Sequence, residues 1–411
     1  MKVRERFIPY RRTDVVTMCQ ADAGLAKNDV EAFNGFCEML TALFHFELHK
    51  RLEQLKNYYA PFDPDRDTRS IDTGDIDVNE LKILLEDQLK LVLEQANFES
   101  VSEADLQDAM HAESLFKVKL QVDFDDFEEV LFFRRGLSDK TETVSQWFGL
   151  KKRPIELQVY DRVLVYVRFK QKEYFDRLDR TDLYFEPGST IIKLFRNVPK
   201  NDMEMLFPNT EVRMKPIDKL LIGVPAAVGG VFMLVTKLGA TLLLVLSVLA
   251  FWLGLHDEPA TLDQPTLIAL LVGLAGLGGF LWRQFTKYKN RKIQFMKQLA
   301  ENLYFKNLDN NAGVFHHLID TAEEEECKET ILAYYHLLIS NKPLSAAELD
   351  DKIEKWFCDK YQCVLDFEMQ DALEKLLRLK LISSIDGKYQ AKPLSESNTQ
   401  LDSLWDSYFN Y

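Results

Sequence analysis

Apolar residues recur every three or four positions along residues 29–59, with Phe33, Phe36, Leu40, Leu43, Phe44 and Leu48 on one stripe. That spacing predicts an amphipathic helix, closed by Pro61, Pro64 and the acids Asp63, Asp65 and Asp67. Residues 78–96 carry the same period and predict a second helix. Ser102, followed three residues later by Asp105, reads as the cap of a short third. The pattern then changes. Residues 117–124, 129–134, 156–170 and 190–195 are rich in β-branched and aromatic side chains and predict strands of an antiparallel sheet. Residues 135–154 read as an exposed loop within it, and Asn201 or Asp202 as the cap of a short helix ending before Pro208.

Two uncharged apolar runs follow, residues 238–255 and 266–282. Each is just long enough to be read as a bilayer-spanning helix. Between them lies HDEPATLDQP, with three acids and no Lys or Arg. The outer flanks are basic: Lys215 and Lys219 before, Arg283, Lys287, Lys289, Arg291 and Lys292 after. This asymmetry predicts a membrane hairpin with both termini on the cytoplasmic-type side. Residues 220–235 are also apolar but hold Pro225, Gly229 and Gly230, and read as an interfacial or re-entrant segment, with a third span as the alternative. Ala269, Gly273 and Gly276 make a small-residue face suited to helix packing, within the hairpin or between copies of the chain.

The C-terminal block has a different pattern. Helices are predicted over residues 314–327 and 327–340, then 344–360 and 367–381. Ser345 and Glu348 form a capping box at the start of the third of these. ISSIDGKYQAKPL then reads as a hairpin turning at Asp386 and Gly387. Three helices and a β-wing make a winged-helix-like pattern. In DNA readers the third helix of such a domain enters the major groove. Here its Glu368, Asp371 and Glu374 offset Lys375, Arg378 and Lys380, which favours protein contact over DNA.

The layout is therefore α+β, in four parts: a soluble helical and antiparallel-sheet domain (1–215), a membrane region (216–282), a basic juxtamembrane helix and linker (283–322), and the winged-helix-like domain (323–411). Composition adds charge: the 411-residue chain carries a formal −14. Residues 323–411 hold 18 acids against 10 bases. Acidic outer domains argue against nucleic acid as a partner. Five scattered cysteines, Cys19, Cys37, Cys327, Cys358 and Cys363, read as reduced thiols. The start, MKVRERFIPYRR, lacks the apolar stretch of a cleaved signal peptide.

Candidate chemistry is sparse. His45 and His49 share a helix face, but Phe46 stands where a zinc-protease helix needs Glu, so they read as helix histidines. His316 and His317 are adjacent and point apart. The acids at 123, 125, 126, 128 and 129 lack the glycine of a calcium loop and read as a solvated edge. Asp309, Asn310, Asn311 and Gly313 read as a turn and helix cap. No phosphate loop, dinucleotide fingerprint or nucleophile elbow is present. The expectation is of no enzyme, no cofactor and no metal.

Several long motifs carry a resemblance: RERFIPY at Arg4, YAPFDPDRDT at Tyr59, IIKLFRNVPKNDMEMLFPNTEVRM at Ile191, KLLIGVPAAVGG at Lys219 and ENLYFKNLDNNAGV at Glu301. The chain resembles the transmembrane protein 143 family, whose function is unknown. The resemblance implies two membrane spans and no catalytic residue, cofactor or substrate. It implies a bacterial inner membrane with both termini cytoplasmic for a bacterial member, or a mitochondrial membrane for a eukaryotic one. The resulting expectation is a multi-pass, membrane-anchored interaction or scaffold protein. It contacts the bilayer, a protein partner through the C-terminal domain, and further copies of itself. The alternatives are an oligomeric channel or transport component and a membrane-tethered winged-helix regulator.

Overall fold

The structure is a computed structural model; it describes residues 6–22, 24–69, 77–102, 119–146, 151–213, 246, 249–254, 264–340 and 342–408. In chain order the elements are α1 (Arg12–Ala21), α2 (Val30–Tyr59), α3 (Val78–Gln95), β1 (Glu99–Ser100), β2 (Lys119–Gln121), β3 (Phe127–Gln146), β4 (Lys151–Phe169), α4 (Lys172–Arg177) and β5 (Thr190–Pro199). Then come β6 (Glu211–Arg213), α5 (Gln264–Lys306), β7 (Asn307–Asn310), α6 (Ala312–Leu338), β8 (Leu344–Ser345), α7 (Ala346–Tyr361), α8 (Met369–Arg378), β9 (Ile382–Ile385), β10 (Lys388–Ala391) and α9 (Leu394–Ser407).

The chain forms two compact units. The first comprises Met1–Ala112, Phe124–Met203 and Lys306–Tyr411; the second comprises Glu113–Asp123 and Glu204–Phe305. The first is built on α2 and α6, which run antiparallel. Phe36 stacks on Tyr334 with ring centroids 4.1 Å apart, and at the other end Tyr59 meets Phe315 at 5.4 Å. The stripe on α2 explains this pairing, since Phe33, Phe36, Leu40, Leu43, Phe44 and Leu48 are all buried. Two apolar clusters lie along the helix pair. One gathers α1, the start of α2, the end of α6 and α7 to α9. The other gathers the end of α2, α3, the start of α6 and the sheet residues Phe133, Leu164, Tyr166, Ile192 and Leu194. Residues 1–215 and 323–411, separate domains in the sequence reading, thus share one core.

The main sheet is antiparallel in the order β1-β3-β4-β5-β7. The expected loop over residues 135–154 is a correction: Arg135–Gln146 and Lys151–Pro154 are ladder residues, pairing from Arg135 opposite Arg162 to Gln146 opposite Lys151. Thr141, Thr143 and Val144 favour the extended backbone. Trp147 to Leu150 lie outside the described residues. Asn311 joins sheet to helix. It stands at φ +51° before α6, accepts the Ile192 amide at 3.1 Å and donates to Asp65 at 2.5 Å. Asn tolerates that left-handed backbone better than most residues.

The C-terminal part runs helix (end of α6), β8, α7, α8, β9, β10, with a small antiparallel sheet in the order β8-β10-β9. The order of helices and wing is that of a winged helix. Asp386 (φ +53°) and Gly387 (φ +73°) turn the hairpin, a pair of left-handed residues that suits the strand twist. The capping box has both bonds: Glu348 N donates to Ser345 Oγ at 3.3 Å, and Ser345 N donates to Glu348 Oε2 at 2.8 Å. Ser345→Ala is therefore expected to lower stability by about 1 kcal/mol in chemical denaturation.

In the second unit β2 pairs with β6, Leu120 opposite Val212, and Asn209 donates to the Asp123 carbonyl at 2.7 Å. The expected transmembrane hairpin is a correction. Among the described residues no helix is long and apolar enough to cross a membrane. The run 266–282 is the first part of the 43-residue α5. Its uncharged stretch is about 26 Å long at 1.5 Å per residue, short of a ~30 Å hydrocarbon core, and charges begin at Arg283. The run 238–255 lies outside the described residues apart from Leu246 and residues 249–254, and residues 220–235 lie wholly outside. The multi-pass membrane placement is withdrawn with the hairpin, as are the membrane-anchored scaffold, the channel and the tethered regulator.

Candidate functional site

The acidic run Glu323–Glu326 does not end a helix, as the sequence suggested. It lies inside α6, and its neighbours are buried: Glu325 is 1% exposed, and Glu326, Lys328 and Glu329 are each 3% exposed. A helix can carry buried charges when each meets a partner. Arg135 on β3 meets Glu325 at 2.5 Å, and Lys328 meets the same carboxylate at 2.9 Å. Lys328 also donates to the carbonyls of Ile8 (2.8 Å) and Tyr10 (3.0 Å), while the Ile8 amide donates to Glu325 at 3.1 Å. Glu329 accepts from Asn97 Nδ2 at 3.0 Å. Lys375 of α8 pairs with Glu326 and Asp371 and stands 3.8 Å from Glu329. An ionic seam therefore joins α6 to β3, α8 and the N-terminal segment.

Burial sets the electrostatics. Desolvation pushes the Glu329 carboxyl well above its usual range, with Lys375 pulling the other way, and raises Glu326 for the same reason. Burial also works against the Lys375 ammonium, but Glu326, Glu329 and Asp371 together outweigh it and the net shift is upward. Arg135 is lowered by burial despite Glu325.

The α8 cations are engaged within the fold. Arg378 donates two hydrogen bonds to Glu47 of α2, at 2.8 and 2.9 Å, and Tyr408 donates to the same carboxylate at 2.5 Å. Beside them opens a cavity of about 280 Å³, with Phe44 and Leu48 on one side and Arg51, Gln95, Glu326 and Glu374 around it. A second, more open groove of about 600 Å³ lies between α1 and α2, near Arg12, Cys37 and His45.

Other residues singled out from the sequence are placed as follows. His45 Nδ1 lies 2.7 Å from Glu323, and its ring stacks 6.3 Å from His49. His317 faces Asp309 at 3.4 Å. Among the described residues no group of three or more His, Cys, Asp or Glu is arranged to hold a metal ion. Cys19, Cys37 and Cys327 are buried thiols, Cys358 is exposed and Cys363 is half-buried. Ala269, Gly273 and Gly276 lie on α5 at four- and three-residue spacing. Arg283, Lys287 and Lys289 are exposed along the same helix, which also carries Arg291 and Lys292; Lys215 and Lys219 lie outside the described residues.

The acids near residue 125 are not all a solvated edge. Asp126 is 1% exposed and held by Arg180 at 2.6 and 3.1 Å. Arg168, itself buried, bridges Glu86 at 2.9 Å and Glu129 at 3.2 Å. Desolvation, with Glu86 next to it, raises Glu129 to about 7. A carboxyl raised in the folded state makes stability fall as pH rises from its ordinary 4.5 toward 7. Glu129→Gln is expected to flatten that part of the stability profile relative to wild type, read from melting temperatures across pH 4.5 to 7.

Residues 160–313 match a family model described as a protein of unknown function, DUF3754. The matched stretch runs from within β4 to the first turn of α6. It supports the resemblance drawn from the motifs to the level of an uncharacterised domain family, and it does not single out the transmembrane protein 143 family. No solved structure matches the chain.

Proposed function

We propose that the protein is a non-enzymatic binding module whose winged-helix-like part contacts a protein and not nucleic acid. The observation that carries this reading is the engagement of α8. Lys375 is tied to Glu326 and Asp371, and Arg378 to Glu47, so the helix that would present cations to phosphates has them neutralised internally. The wing supplies a contact surface instead. β9 is an edge strand of the small sheet, and Ile385 beside its turn is 72% exposed. An exposed isoleucine at a hairpin tip suits an apolar anchor point. The excess of acids over bases in residues 323–411 favours a partner with a basic surface. On the motifs at Arg4, Tyr59 and Glu301 we also propose common ancestry with the transmembrane protein 143 family, which is a statement about descent and not about a membrane span.

The test places a photo-crosslinking residue at Ile385 in the full chain, with Lys342 as a control position. The expected result is a discrete protein adduct at Ile385 that weakens as salt rises. An adduct of twice the chain mass would identify the partner as a second copy. Tight binding of duplex DNA near 50 mM salt, falling steeply with added salt, would overturn the reading.

A further inference from the structure

The cavity where α2, the end of α3, α6 and α8 meet presents two unlike charges to the same space. Glu326 is 3% exposed, and one oxygen is held by Lys375. The other, Oε1, lies beside the Gln95 amide without closing a hydrogen bond of normal geometry. A buried carboxylate oxygen with no donor is costly unless something supplies one. Arg51 opens onto the same cavity. Its Nη1 donates to Gln95 Oε1 at 2.6 Å, and among the described residues no carboxylate lies within ion-pair distance of it. Arg51 thus retains donor capacity for a planar anion. Phe44 and Leu48, both buried, supply apolar wall.

We infer that this cavity binds a small zwitterion of the α-amino-acid type. Its carboxylate lies on Arg51, its ammonium on Glu326 with Glu374 nearby, and an aliphatic side chain against Phe44 and Leu48. The volume of about 280 Å³ admits a molecule of that size and little more. A simple anion would leave Glu326 Oε1 unmatched, and a simple amine would leave Arg51 unmatched, so both charges are needed on one ligand. The site lies apart from the wing, and this inference stands whether or not the wing docks a protein.

The test is isothermal titration of the full-length chain with L-leucine as probe, and with isovalerate and isoamylamine as analogues lacking the ammonium or the carboxylate. One L-leucine per chain is expected, with each analogue weaker by about tenfold or more. Arg51→Met and, separately, Glu374→Gln are expected to weaken L-leucine binding, Arg51→Met the more strongly, with melting curves showing both variants folded. Glu326→Gln should abolish binding, but it also touches the ionic seam, so Arg51→Met is the deciding variant. No heat with L-leucine, L-valine or L-alanine up to about 10 mM would overturn the inference. Binding of isovalerate as tight as L-leucine, or L-leucine binding unchanged in Arg51→Met, would overturn it too.

Discussion

Replacing Lys375 with methionine is expected to destabilise the protein by about 3–5 kcal/mol, the range for removing one partner from a buried ion pair. Lys375 is 7% exposed and is the cation shared by Glu326, Asp371 and, at 3.8 Å, Glu329. Methionine keeps most of the volume and removes the charge, so the loss is electrostatic. The pH dependence distinguishes this from a packing defect. Glu326 and Glu329 are already raised above 4.5 by burial, and without the ammonium they move higher. A carboxyl raised in the folded state gives full stability below its unfolded pKa and loses it as pH rises. The variant's deficit in melting temperature should therefore be small near pH 4.5 and large near pH 8, and a second change, Glu326→Gln, should recover part of it at pH 8. An equal deficit at both pH values would show that the seam's charges do not act as described.

The second large effect concerns the shared core. Phe36→Ala is expected to cost about 3–5 kcal/mol, because Phe36 is fully buried and stacks on Tyr334. The location of the damage matters more than its size. Tyr334 also donates to Ser397 Oγ at 2.9 Å, so α2 supports α9 through α6. Hydrogen exchange followed by mass spectrometry should show protection falling together in α2, α6 and α9. Loss confined to α2 would mean that the C-terminal part holds its own core.

Local pattern foretold much of the first unit. The stripe on α2, the period of α3, the capping box at Ser345 and the turn at Asp386 and Gly387 each appear where expected, since each is decided by neighbours in sequence. Burial of Glu325 to Glu329 was harder to read, because a run of acids is usually a solvated face. One signal was available. The residues that follow, ILAYYHLL, are apolar on every side, and a helix apolar all round is a buried one. The same signal argues against separating residues 323–411 from the N-terminal helices.

The apolar run 266–282 misled for a related reason. Uncharged length predicts a span only when the helix it belongs to is long and apolar enough, and here the run opens a 43-residue helix that turns charged at Arg283. The cavity at Arg51, Gln95 and Glu326 could not be read from the sequence at all. Its residues come from three helices, and only their packing brings the two charges to one space. The sequence by itself determined where helices, strands and turns form, because period, capping and turn chemistry act over a few residues. Tertiary structure alone decided which charges are buried and which partners they meet, because desolvation and ion pairing depend on neighbours that lie far apart in the chain.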